Sequence, residues 1–158
     1  MSRTTLTLIT LALVAMFATA AAATEREMPA AEFNLEDHAG KVVVVDFWAS
    51  WCPPCVRAMP FLSAMQEKYG DQGLVTIAVN VDQDPSAPTK MIADLHEDII
   101  VVRDHQGLVA TAHKIKGLPT AFVLDRQGNK VSTHVGFQDS EKPSREQELK
   151  KLLENGAS

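Results

Sequence analysis

Residues 41–49, KVVVVDFWA, place four valines in a row ahead of Phe47 and Trp48. A strand turns alternate side chains to opposite faces, so an unbroken apolar run has no side to offer to water. Such a strand must lie inside a sheet that is covered on both faces. That restricts the chain to layered α/β architectures, in which strands alternate with the helices that cover them. Asp46 is the exception within the run. A carboxylate among buried side chains costs desolvation free energy unless it has partners or work, and its pKa is expected to be raised. The alternative is an aspartate at a strand edge, facing water.

The remaining pattern fits that frame. PPCVRAMPFLSAMQEKYG (53–70) opens with proline, spaces Met59, Leu62, Met65 and Tyr69 for a helix, and stops at Gly70. Pro60 inside it predicts a kink. GLVTIAVNV (73–81) reads as a second buried strand, 85–98 as a helix, IIVVRD (99–104) as a third strand and 106–117 as a short helix or turn. TAFVLD (120–125) and KVSTHVGF (130–137) flank RQGN as a hairpin. SREQELKKLLENG (144–156) offers a capping box at Ser144 and Gln147, with Leu149, Leu152 and Leu153 on one face. Residues 24–40 are polar and mixed and read as a loop. The expected fold class is α/β, a central mixed sheet flanked by helices with its antiparallel strands at one side.

A chain of 158 residues with net charge −5 suits one domain, and it carries no basic stripe of the kind a nucleic-acid partner would need. Its first residues read as a targeting segment. MSR is a short basic start, TLTLITLALVAMFATA is apolar, and ATAAAATE has small residues at A-x-A spacing. Residues 1–23 are therefore expected to be a signal peptide, and 24–158 the domain. An uncleaved anchor is the alternative, although the apolar run is short against the ~20 residues that a span needs. No cysteine lies near the cleavage site, so a lipoprotein is not expected. The expected location is periplasmic or otherwise exported, with a membrane tether if the segment stays.

Both cysteines of the chain fall in CPPC, Cys52 and Cys55, between the first strand and the helix. Export would place them where disulfides persist. As a staple they are a poor choice, because closing so short a loop removes little entropy from the unfolded chain. As a redox pair, proximity is what is required. A thiolate at a helix N-terminus is stabilised by the backbone N–H groups and the macrodipole, so Cys52 is expected to be the exposed nucleophile. Cys55, one turn on, is expected to be buried and to resolve the mixed disulfide. Pro53 and Pro54 remove N–H groups that a first helical turn does not use, and hold the two sulfurs close. Half a zinc site is the competing reading. It lacks a second CxxC, and His38, His96, His105, His113 and His134 are scattered without ligand spacing. No metal or other cofactor is expected. The acidic stretch VDQDPSAP reads as a solvated loop. Pro119 in GLPT opens a strand, which alone requires no special role.

Taken in order, VVDFWASWCPPC, Pro60 within the helix, GLPTAFVLD and the glycine of THVGF resemble the thioredoxin superfamily. The strand leading to CPPC, and the extra helix and strand around residues 85–102, resemble the exported TlpA/ResA-like thiol-disulfide oxidoreductases. The likeness spans about residues 35–155, judged from motif order. It implies a thioredoxin-like fold with a helix–strand insertion. It also implies that the Leu118–Pro119 bond is cis and lies beside the cysteines, where Leu118 offers backbone hydrogen bonds to an extended substrate chain. Trp51 then flanks the nucleophile, and Asp46 is the buried acid that assists Cys55. The sequence departs from the pattern in four places, one being the N-terminal β-hairpin, which is reduced to little more than residues 28–40. Ala78 stands where thioredoxins carry a lysine, so Asp46 is more strongly desolvated or is hydrated instead. Ala58 stands where a glutamate often follows the second cysteine. Gln83 falls near an active-site glutamate of some relatives, and that role is not carried over to it.

The expected activity is that of a protein-disulfide reductase outside the cytoplasm. The likeness implies protein thiol and disulfide substrates such as the haem-binding cysteines matured in cytochrome c, and a membrane electron donor. A disulfide oxidase of the same fold is the alternative, because direction is set by reduction potential. A copper chaperone is a third reading, since Cu(I) prefers soft thiolates, but it needs His113 or His134 within reach of Cys52.

Overall fold

The fold was obtained as a computed structural model that describes residues 26–155. The expected signal peptide at 1–23 lies outside the described residues. Six strands form one sheet in the order β1-β4-β3-β2-β5-β6. They are β1 (Glu27–Pro29), β2 (Val42–Trp48), β3 (Leu74–Asn80), β4 (Ile100–Arg103), β5 (Thr120–Leu124) and β6 (Lys130–Val135). β1, β4, β3 and β2 run parallel, β5 is antiparallel to β2, and β6 is antiparallel to β5. The mixed sheet with a terminal hairpin is the one the sequence implies.

β2 is buried along its whole length, as its composition demands. Its alternate residues feed two separate cores. Val42, Val44 and Trp48 pack with the long helix α1 (Pro53–Tyr69) and with Leu149 and Leu153 of the C-terminal helix α4 (Lys142–Glu154). Val43, Val45 and Phe47 pack on the opposite face with Val109 of the short helix α3 (Leu108–Ala112) and with Phe33 and Leu35 near the N-terminus. α1 is continuous through Pro60.

Three elements differ from the sequence reading, for reasons partly local and partly tertiary. The stretch read as a loop contains β1, whose Met28 pairs with Val102 of β4, and three residues without their partner strand carry no periodicity to read. The helix placed at 85–98 shrinks to α2 (Thr89–Ala93). Before it, Asp84 accepts from the N–H and the hydroxyl of Ser86, forming a turn. After it, the Arg26 guanidinium donates to the carbonyl oxygens of Ile92, Leu95 and His96. α4 starts at Lys142 because Pro143 suits a first helical turn. The capping box expected at Ser144 and Gln147 is made instead by Gln138 and Glu141 on the preceding 3-10 turn, and Ser144 donates to the Glu141 carbonyl.

Gly73 shows why one glycine is required. Its φ is +99°, and a Cβ there would come within 2.9 Å of Arg126 Nη1. Arg126 spans three segments through this gap, donating to the carbonyls of Gly40, Gln72 and Leu153.

Candidate active site

α1 begins where β2 leaves the sheet, and Cys52 is its N-cap residue. Cys52 and Cys55 form a disulfide, with Cα atoms 5.3 Å apart. Cys55 is fully buried. Cys52, expected to be exposed, retains only 5% of its surface. In the oxidised pair its sulfur is tied to the buried one, and Trp51, the prolines and Leu118 stand around it. Trp51 is the exposed member, at 68%. Together with Val81 and Ile115 these side chains line an open, largely apolar groove of about 500 Å³.

The Leu118–Pro119 bond is cis. Leu118 lines the groove with Cys52, and the Pro119 carbonyl accepts from Gly136 N–H at 2.8 Å. Four of the six residues singled out from sequence, Trp51, Cys52, Cys55 and Leu118, thus meet at the disulfide and its groove, with Pro119 next in the chain.

Asp46 lies behind them, 3% exposed. It shares the wall of a small cavity with Ala58, one helical turn beyond Cys55. Burial pushes its carboxyl from 3.8 up to about 7, and the Arg145 guanidinium of α4 opposes that rise. The sheet explains the size of the effect. Asp46 pairs with Ala78 on one side and Ala121 on the other, and neither offers a charge or a hydrogen bond. The lysine absent at position 78 is replaced in part by a cation from a different element.

The loop ahead of Cys52 is braced by a residue that the sequence reading passed over. Asp82, placed in a solvated acidic loop, is 2% exposed. It accepts from Ser50 N–H and Ser50 Oγ, both at 2.9 Å, and from Asn80 Nδ2 at 2.7 Å. A carboxylate that takes three donors is well compensated for burial. The only sequence signal is its place directly after a buried strand.

None of the histidines is committed to the cysteines. His113 packs between Phe47 and Phe122, and desolvation lowers its pKa. His134 pairs with Glu148 at 2.8 Å, and His105 Nδ1 lies 2.6 Å from the Asp82 carbonyl. Among the described residues no three His, Cys, Asp or Glu side chains gather as a metal site.

Chemically, the arrangement offers a sulfur pair at a helix entrance, an apolar groove beside the outer sulfur and, on a cavity wall shared with Ala58 one turn beyond the inner one, a carboxyl raised to about 7. Known proteins resemble this chain. The Redoxin family model matches residues 17–153. Thiol-disulfide oxidoreductase ResA of Geobacillus kaustophilus is 35% identical over 97 residues, which is 61% of this chain and 56% of that one. ResA of Bacillus thuringiensis subsp. konkukian is 30% identical over 121 residues, 77% of this chain and 69% of the other. A Chlorobium tepidum protein assigned as thiol:disulfide interchange protein DsbE superposes with a TM-score of 0.71 at 38% identity, covering 75% of this chain and 84% of its own.

Proposed function

The chain belongs to the Redoxin family, and from that premise we propose that it is an exported thiol-disulfide oxidoreductase that reduces protein disulfides through Cys52 and Cys55. The observation that carries this reading is the disulfide itself, set at the N-terminus of α1 with one sulfur at an apolar groove and the other fully buried. Cys52 attacks the substrate disulfide, and the mixed disulfide is resolved by Cys55 after Asp46 takes its proton. An extended substrate chain lies along Leu118 and Pro119, hydrogen-bonded to the Leu118 backbone, with Trp51 as the apolar wall.

The reducing direction follows from what stabilises the thiolate. An oxidant arises when a very acidic thiol favours the reduced form. Here the helix N-terminus is the stabiliser, and Pro53 and Pro54 add no charge and no donor. The substrates fitting this reading are cysteine pairs of exported proteins, the haem-binding pairs of apocytochromes c among them, with electrons supplied by a membrane protein. The apolar N-terminal segment supports export, as signal peptide or tether. No helix among the described residues is long and apolar enough to cross a membrane.

Two measurements test the reading. Cys55→Ser should trap mixed disulfides with substrate and Cys52→Ser should not; equal trapping by both would reverse or abolish the assigned roles. Equilibration with glutathione should give a potential nearer about −270 mV than −120 mV, and a value more oxidising than roughly −180 mV makes the oxidase the better description.

A further inference from the structure

Behind the disulfide, the antiparallel pairing puts Asp46, Ala121 and His134 in one row across β2, β5 and β6. Directly opposed residues share a face of a sheet, so the carboxyl and the imidazole lie on the same side with one methyl group between them. Two strand spacings separate their backbones, about 10 Å. Above this row is the cavity that Asp46 shares with Ala58, and its volume is about 30 Å³. That is room for two or three water molecules, at ~10–15 Å³ of such space for each.

The cavity is polar where it matters. Three buried atoms without a protein hydrogen-bond partner belong to residues of its wall: Asp46 Oδ2, Thr76 Oγ1 and Arg145 Nε. Buried polar groups are seldom left unpaired, and water is the usual partner where space allows. His134 and Glu148 line the same cavity. With Arg145 they also line the wide surface hollow of about 500 Å³ between β6 and α4. The His134–Glu148 pair therefore stands between an interior cavity and solvent.

We propose that this cavity is a hydrated proton path, leading from Asp46 across Ala121 to the His134–Glu148 pair and out on the β6–α4 side of the molecule. The proposal rests on the reading of Asp46 as the proton acceptor for Cys55. When the mixed disulfide is resolved, the proton of the Cys55 thiol passes to Asp46. The Cys55 sulfur then bonds to the Cys52 sulfur, and the bond from Cys52 to the substrate sulfur breaks. Its electron pair leaves with the substrate, which is the two-electron reduction. With its carboxyl raised to about 7, part of the Asp46 population is protonated when the mixed disulfide forms, and that proton must be shed before Asp46 can take the one from Cys55. The groove side offers no titratable side chain next to Asp46: α1 contributes Ala58, Phe61, Leu62 and Met65, and β5 contributes Ala121 and Val123. Besides the Thr76 hydroxyl of β3, the groups facing it are Arg145, Glu148 and His134. Outside that pair stand Glu141 and Lys151, at the rim of the hollow. Arg145 is a positioning residue, held by bonds to the Gly136 carbonyl and Glu141 Oε2. With Asp46 titrating near 7, both directions of transfer are accessible near neutral pH.

The test is the single-turnover resolution of a Cys52–thionitrobenzoate mixed disulfide between pH 6 and 9, a range that brackets the ordinary imidazole and thiol pKa values. His134→Ala should slow it on the order of tenfold near neutrality, short of the ~10²-fold that losing a directly acting acid–base group costs. Free imidazole, admitted by the surface hollow, should restore the rate. Glu148→Gln should slow it in the same pH range. His134→Ala resolving at the full rate while Asp46→Asn is slow would overturn the path and leave the role of Asp46 intact. Slowing without rescue by imidazole, with Glu148→Gln unaffected, would mark His134 as structural and overturn it equally. If Asp46→Asn itself resolves at the full rate, the underlying assignment of Asp46 fails.

Discussion

Asp46 and Asp82 are carboxylates of nearly equal burial on neighbouring strands or just past them, and their surroundings are opposite. Asp82 collects three donors, two of them from Ser50, and ties the loop before Cys52 to the end of β3. Asp46 sits between two alanines, has an oxygen without a protein partner, and is pushed up to about 7 by burial. The difference teaches that burial alone does not assign a role to an acid. A satisfied carboxylate is a brace, whereas an unsatisfied one beside a water-sized cavity is poised to gain and lose a proton.

The same substitution at the two positions should therefore have opposite signs. Asp46→Asn gives the largest effect. Between about pH 4 and 7 the folded chain holds a proton on Asp46 that the unfolded chain has released. Stability thus falls as pH rises through this window and, for this group, is level above it. The rise from 3.8 to about 7 corresponds to about 4 kcal/mol, so Asn should be the more stable variant at pH 8, and its stability should lose this slope. Urea unfolding across pH 4–8, the interval set by those two values, measures it; an unchanged slope would show that Asp46 is not the titrating group.

Asp82→Asn should instead destabilise by about 3 kcal/mol, because an NH₂ group is forced against donors that lose a charged acceptor. A variant as stable as the parent would make Asp82 dispensable as a brace. Arg145→Met removes the guanidinium that opposes the rise of the Asp46 pKa, so the Asp46 titration should move upward. Carboxyl NMR shifts of Asp46 report it, and a downward movement contradicts the electrostatic account. The smallest effect is expected for Ser50→Ala, about 1 kcal/mol, because the hydroxyl bond is lost and the backbone bond to Asp82 stays. A loss as large as that of Asp82→Asn would mean that the hydroxyl, and not the backbone N–H, carries the brace.

The two acids also mark how far the sequence can be read. Asp46 is conspicuous because it breaks an apolar run, which is a local signal. Asp82 is not, because VDQDPSAP has the composition of a turn and its burial comes from Ser50, 32 residues away. The end of α2 escapes the sequence for a similar reason: the guanidinium that takes up the carbonyls of Ile92 and, past the helix, Leu95 belongs to Arg26. His134, one of five histidines scattered along the sequence, gains its place only when strand pairing puts it in the row of Asp46.

The sequence by itself determined the layered α/β class, the strand–CPPC–helix unit and the presence of a buried acid six residues before Cys52. Each of these is encoded in neighbouring residues, through side-chain alternation, helix periodicity and proline. The tertiary structure decided which cation stands by Asp46, which acid holds the loop, and where a cavity opens between β2 and α4. Those outcomes depend on register and packing between segments as distant as β2 and α4, and contacts at that separation leave no pattern in any single stretch of the chain.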